Sequence, residues 1–221
     1  MDLERRSHTP KGRLARERIL RVAEKLLAQR GFHGTSMRDV ADGCEVPLAS
    51  VVYHFARKEH LYAAVLGAIA AELDGEMKSA AGDDRSARSP DHVERLAAMM
   101  RAFARWSLRR PDRVRLLVRE LLDNEARVAK AQKLPLAPFL ESFAAFIAEG
   151  ARAGAFTVTS ALPEVAVLHL VGAVSYFVVS LPTVRRIVGK EREKKLTEDY
   201  EAEVIELARR ALGVRKKKGT S

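Results

Sequence analysis

The chain has 221 residues, 47% of them hydrophobic, a net charge of +10 and a pI of about 10.0. That apolar content excludes a disordered chain, and the length allows one large or two small domains. The basic balance favours an acidic partner such as nucleic acid or an anionic membrane surface, and the single cysteine, Cys44, excludes an internal disulfide.

The N-terminal stretch carries no apolar run of the kind a signal peptide needs, so none is expected. It concentrates Arg5, Arg6, Lys11, Arg13, Arg16 and Arg18 before or within the first helical turns. Such an arm either follows a DNA backbone or enters a minor groove, or is a solvated tail. From residue 14 to 29 the positions Ile19, Leu20, Val22, Ala23, Leu26 and Leu27 form one broad apolar stripe, and Gly31 ends the helix. Ser36 and Asp39 have the spacing of a capping box before a short helix with Met37, Val40 and Ala41 on its apolar face. The next helix begins near Pro47. Two short helices joined by a tight turn, after a longer one, outline a helix-turn-helix module.

Residues 58–79 continue as helix, and the stretch AAGDDRSARSPD reads as a loop. Helices are then expected from about 91 to 109, from 112 to 132, and from Pro135 and Pro138 to Gly154. Another runs from Pro163 to about Gly189, with a bend near Pro182, and a last one from 191 to 212. The chain is therefore expected to be all-α with about nine helices. The apolar run from 165 to 181 approaches the length of a membrane span. His169, Ser175 and Tyr176 interrupt it, and the reading is a helix buried on several faces, with no membrane partner.

No catalytic constellation emerges. The histidines lack metal-ligand spacing, and phosphate or dinucleotide fingerprints are absent, so neither metal nor cofactor is expected and the chain is read as no enzyme. Cys44 reads as small core filling. Met99, Met100, Phe103, Trp106, Phe139, Phe143 and Phe146 recur at helical spacing. They serve either as core or as the wall of a ligand pocket between helices. His169, Ser175 and Tyr176 need polar partners, which a ligand or a dimer seam would supply.

The fragments RILRVAEKLLAQRGFHGTSMRDVADGCEV and VVYHFARKEHLYAAVL contain a helix ending in Gly31-Phe32, then Gly34-Thr35-Ser36, Arg38-Asp39-Val40-Ala41, Tyr53-His54-Phe55 and Lys58-Glu59. In this combination they resemble the DNA-binding domain of the TetR-like family of transcriptional regulators. The resemblance implies a cytoplasmic homodimer that binds a palindromic, double-stranded DNA operator and is released by a small-molecule effector, most simply a repressor. It divides the chain into a basic arm (1–12), a helix-turn-helix domain (13–60), a ligand-binding and dimerisation domain (61–213) and a basic tail (214–221). It places Leu48, Ala49, Ser50 and Tyr53 on the exposed side of the recognition helix, with Val51 and Phe55 facing inward. Ser50 can meet a base edge or phosphate, Leu48 and Ala49 a thymine methyl, and Tyr53, His54 and Lys58 phosphate oxygens. Thr35 and Ser36 would stand where a helix end meets a phosphate.

Many family members carry Ser or Thr at Pro47, a polar or basic residue at Leu48 and an aromatic at Val52. With a recognition helix this poor in polar groups, Arg38 becomes the best reader of a guanine. The effector contacts are expected among Met99, Phe103, Trp106, Phe139, Phe143, His169 and Tyr176. The rival is a helical small-molecule-binding or interaction protein with a degenerate DNA-binding motif.

Overall fold

The computed structural model of the protein describes residues 10–82, 91–123, 134–157 and 162–214. Among them are nine α-helices and no strand: α1 (Pro10–Arg30), α2 (Met37–Gly43), α3 (Leu48–His54), α4 (Lys58–Ala81), α5 (His92–Arg109), α6 (Pro111–Asp123), α7 (Ala137–Arg152), α8 (Pro163–Val188) and α9 (Lys190–Ala211). The all-α reading holds. Most of the loop expected at 80–91, the far end of the helix expected to reach 132, Arg5 and Arg6, and most of the basic tail lie outside the described residues.

The described chain divides into two compact units, one of residues up to 69 with the segment from 115 to 135, the other of residues 70–114 with those from 136 onward. In the first, α1 buries Ile19, Ala23 and Leu27, and α2 and α3 bury Val40, Ala41 and Val51. Leu61, Tyr62, Val65, Leu66 and Ile69 of α4 extend this core. Burying each large aliphatic side chain is worth roughly 1.5–3 kcal/mol, which matters because α2 and α3 are too short to persist by themselves.

The second unit packs α5 against α8 and α9, and α8 against both α7 and α9. Asp91 caps α5 by accepting from the Val93 N–H at 3.3 Å. The inward stripe Leu96, Met100, Phe103 and Ser107 lies at helical spacing, and Trp106 beside it is fully buried. After α7, Gly154 adopts φ 73° and the amides of Ala155 and Phe156 return to the Gly150 carbonyl at 2.9 and 3.3 Å. That turn presses Phe156 onto α7 where Gly150 has no side chain. The end of α9 is fastened too, because the Thr157 N–H donates to the Leu212 carbonyl at 2.8 Å.

Pro182 lies inside α8 without ending it. α8 is long and apolar enough to cross a membrane by length and composition, and only 22% of its most apolar window is buried within the chain. The expectation of a helix buried on several faces is therefore not met within one chain. Leu168, Tyr176 and Ile187 are exposed at 57, 75 and 77%.

Candidate nucleic-acid interface

The helix-turn-helix is set by local chemistry. Gly31 takes φ 72°, and its amide donates to the Leu27 carbonyl at 2.8 Å, closing α1. Ser36 caps α2 through a complete capping box. The Asp39 amide donates to Ser36 Oγ at 3.1 Å, while the Ser36 amide donates to Asp39 Oδ2 at 2.7 Å. Hydrogen bonds from the Ser36 side chain, then its backbone, hold the Asp39 carboxyl below the usual range, helped by the charge of Arg30. Gly43 lets α2 close on α1, since a Cβ there would stand 2.8 Å from Val22 Cγ1. Glu45, at φ 53°, turns the chain into α3 in a backbone region that non-glycine residues rarely adopt.

On α3, Val51 is fully buried and Phe55 is 4% exposed, as the inward face requires. Ala49, Val52 and Tyr53 are exposed, and Leu48, Ser50 and His54 half-exposed. Arg38 is exposed on α2. Lys58 Nζ sits 4.2 Å above the Phe32 ring, a cation–π contact that holds the ammonium near the start of α4.

Two of the expected residues bond their hydroxyls within the turn. Thr35 is 3% exposed and its hydroxyl donates to the Gly31 carbonyl at 3.0 Å, so its side chain serves the turn rather than the surface. Ser36 spends its hydroxyl on the cap. His54 Nδ1 is enclosed without a hydrogen-bond partner. Burial lowers the His54 pKa, and the charge of Arg16 lowers it further, which favours the neutral imidazole.

From Pro10 onward the basic stretch is helical, so Lys11 and Arg18, seven residues apart, lie on one face. Together with Ser50 and Tyr53 of α3 they line an open groove of about 600 Å³, with Ile19 and Cys44 also on its wall. Arg16 lies 5.0 Å above the Phe55 ring and covers the inward anchor of α3. The clue for Lys11 and Arg18 was Pro10, a favoured residue of a first helical turn. Cys44 is fully buried, and burial pushes its thiol up, partly offset by Arg18.

The expected effector residues divide. Met99, Phe103, Trp106, Phe139 and Phe143 are buried, and the Phe139 ring lies 6.5 Å from Phe103 and 6.4 Å from Phe143. His169 and Tyr176 are exposed, on another face of α8 from its buried Val167, Leu170 and Val174. Among the described residues no group of three or more His, Cys, Asp or Glu side chains could hold a metal ion.

Residues 19–65 match the family described as "Bacterial regulatory proteins, tetR family", and residues 89–179 match "Tetracyclin repressor-like, C-terminal domain". The two matches together cover more than half of the chain. The chain belongs to the TetR family of bacterial regulatory proteins. Its helix-turn-helix is the DNA-binding domain of that family.

The HTH-type transcriptional repressor KstR2 of Mycobacterium tuberculosis is 39% identical over 46 residues, 21% of this chain and 23% of that protein. The chain thus matches less than a quarter of that relative's length. The fatty acid degradation regulator FadR of Bacillus halodurans superposes with a TM-score of 0.69 at 15% identity, over 91% of this chain and 97% of its own. FadR of Bacillus subtilis, in complex with stearoyl-CoA, gives 0.64 at 13% identity over 88 and 98%. AibR, in complex with isovaleryl coenzyme A and operator DNA, gives 0.58 at 17% identity over 91 and 100%. At these identities the likeness to the three structures is one of fold.

Proposed function

We propose that this TetR-family regulator is a ligand-responsive repressor that binds a palindromic operator as a homodimer, in the cytoplasm and without catalysis. The observation that carries this is the capped helix-turn-helix, whose α3 turns Ala49, Ser50 and Tyr53 outward beside the α1 cations Lys11 and Arg18. Cations on phosphates supply affinity, and groups on base edges supply specificity. Leu48 and Ala49 offer only apolar contact, so Arg38 carries the guanine readout and Ser50 assists. Tyr53, His54 Nε2 and Lys58 meet phosphates. KstR2, described as a repressor, supports the sign of regulation.

The dimer is proposed from α8 and α9. Leu168, Gly172 and Tyr176 are four residues apart and exposed, forming one stripe, and Leu196 and Leu207 of α9 are also exposed. A symmetry mate would cover these groups. His169 and Tyr176 belong to this seam rather than to the effector site, which leaves Met99, Phe103, Trp106, Phe139 and Phe143 as the adaptable wall against which an apolar effector lodges. Acyl-coenzyme A in two of the similar structures is the effector class to try first. The effector must bind one arrangement of the dimer better than the other to release DNA. Nuclease protection mapping of the DNA flanking the gene tests the reading. A protected pair of inverted half-sites is expected, and uniform protection would refute it.

A further inference from the structure

A pocket of about 340 Å³ opens in the first unit, apart from the groove beside α3. Its inner wall is apolar and aromatic. Leu116 is 1% and Tyr62 4% exposed, and Phe32 meets Tyr62 edge-on with ring centroids 5.0 Å apart. The remaining wall is cationic and polar, with Arg30 and Arg119 both exposed and the His33 ring 5.4 Å from Phe32. No acidic side chain lines it.

We infer that this pocket is a binding site for a small aromatic carboxylate. An aryl body of naphthalene size fits a cavity at the lower end of the range for ligand pockets, and aromatic walls favour offset or edge-on contact with it. A guanidinium is the planar donor that matches a carboxylate with two parallel hydrogen bonds. The carbonyl end of α1 opposes an anion here, but its dipole amounts to about half a charge, against the whole guanidinium charge of Arg119 and the part of Arg30's charge that Asp39 leaves uncompensated. The site also touches the DNA-binding machinery. Arg30 Nη1 lies 3.6 Å from Asp39 Oδ1, the carboxylate that caps α2, and the Gly31 carbonyl holds Thr35. A ligand carboxylate competing for Arg30 therefore perturbs the start of the helix that carries Arg38.

The pocket stands on its own geometry and does not depend on the DNA-binding reading, so it is tested without DNA. Isothermal titration calorimetry of the full-length protein uses naphthoate, the neutral naphthylmethanol and inorganic phosphate as probes. Naphthoate is expected to bind, with the alcohol and phosphate much weaker, and Arg119→Gln to weaken it about tenfold, as loss of a charge-assisted pair implies. Arg119 is exposed, so the variant should keep its fold, checked by an unchanged helical circular dichroism spectrum. No naphthoate binding, an alcohol or phosphate that binds equally well, or full affinity in a folded Arg119→Gln variant would overturn the assignment.

Discussion

The indole N–H of Trp106 donates to Glu72 Oε1 at 3.0 Å, while Arg113 Nη1 reaches Glu72 Oε2 at 2.5 Å. One carboxylate thereby fastens α4, α5 and α6 in the second unit. Burial pushes the Glu72 carboxyl up, but the hydrogen bonds from Arg113 and Trp106 and the charges of Arg113 and Arg110 outweigh it, leaving the group below the usual range. Trp106 is fully buried, so its N–H has no water to turn to.

Glu72→Ala should therefore cost about 1–3 kcal/mol, the penalty of an unpaired buried donor, read by urea unfolding near neutral pH. Because the folded pKa is depressed, the charge-dependent part is fully present above the ordinary carboxylate pKa of about 4.3. It fades as pH falls through the lower folded value. The gap between wild type and variant should shrink on acidification, only modestly because solvent reaches the carboxylate. A gap that widens in acid would contradict the network.

Gly150→Ala should destabilise by about 1–3 kcal/mol, as overpacking does. A methyl there overlaps the Phe156 ring, which is 4% exposed and tied back by its own backbone hydrogen bond. Thermal unfolding reads the effect. An unchanged midpoint would mean that the ring moves freely.

The helix-turn-helix was legible because its signals are contiguous. Gly31, the Ser36 and Asp39 pair and the inward Val51 and Phe55 each act within a few residues. The inward bond of Thr35 was not legible, because a hydroxyl looks the same whether it bonds outward or back to the carbonyl four residues earlier. The Glu72–Trp106–Arg113 cluster and the Gly150–Phe156 contact were not legible, since each depends on a partner that periodicity does not specify. α8 was the hardest case. An almost wholly apolar helix shows no stripe, so its sequence could not reveal that Tyr176 faces outward and Val174 inward.

Arg38→Ala should weaken operator binding by roughly 1–3 kcal/mol and relax base preference, as loss of a bidentate base contact does. Lys58→Ala should weaken all DNA alike and lower the salt slope by about one unit. Fluorescence anisotropy titrations over a range of salt separate the two. If Arg38→Ala keeps the full preference, Arg38 does not read a base.

The full chain should sediment as a dimer, and Leu168→Glu combined with Tyr176→Glu should yield a monomer with wild-type helicity. These side chains are 57 and 75% exposed within one chain, so their replacement leaves its core intact. A variant that remains dimeric in analytical ultracentrifugation would place the seam elsewhere.

Sequence-specific DNA recognition is read by the affinity of the full-length protein for its protected upstream fragment against a scrambled duplex at physiological salt. A preference of about a thousandfold or more is expected, the usual margin of a specific regulator. Equal affinity for both duplexes would contradict it and leave a helical ligand-binding protein with a degenerate motif.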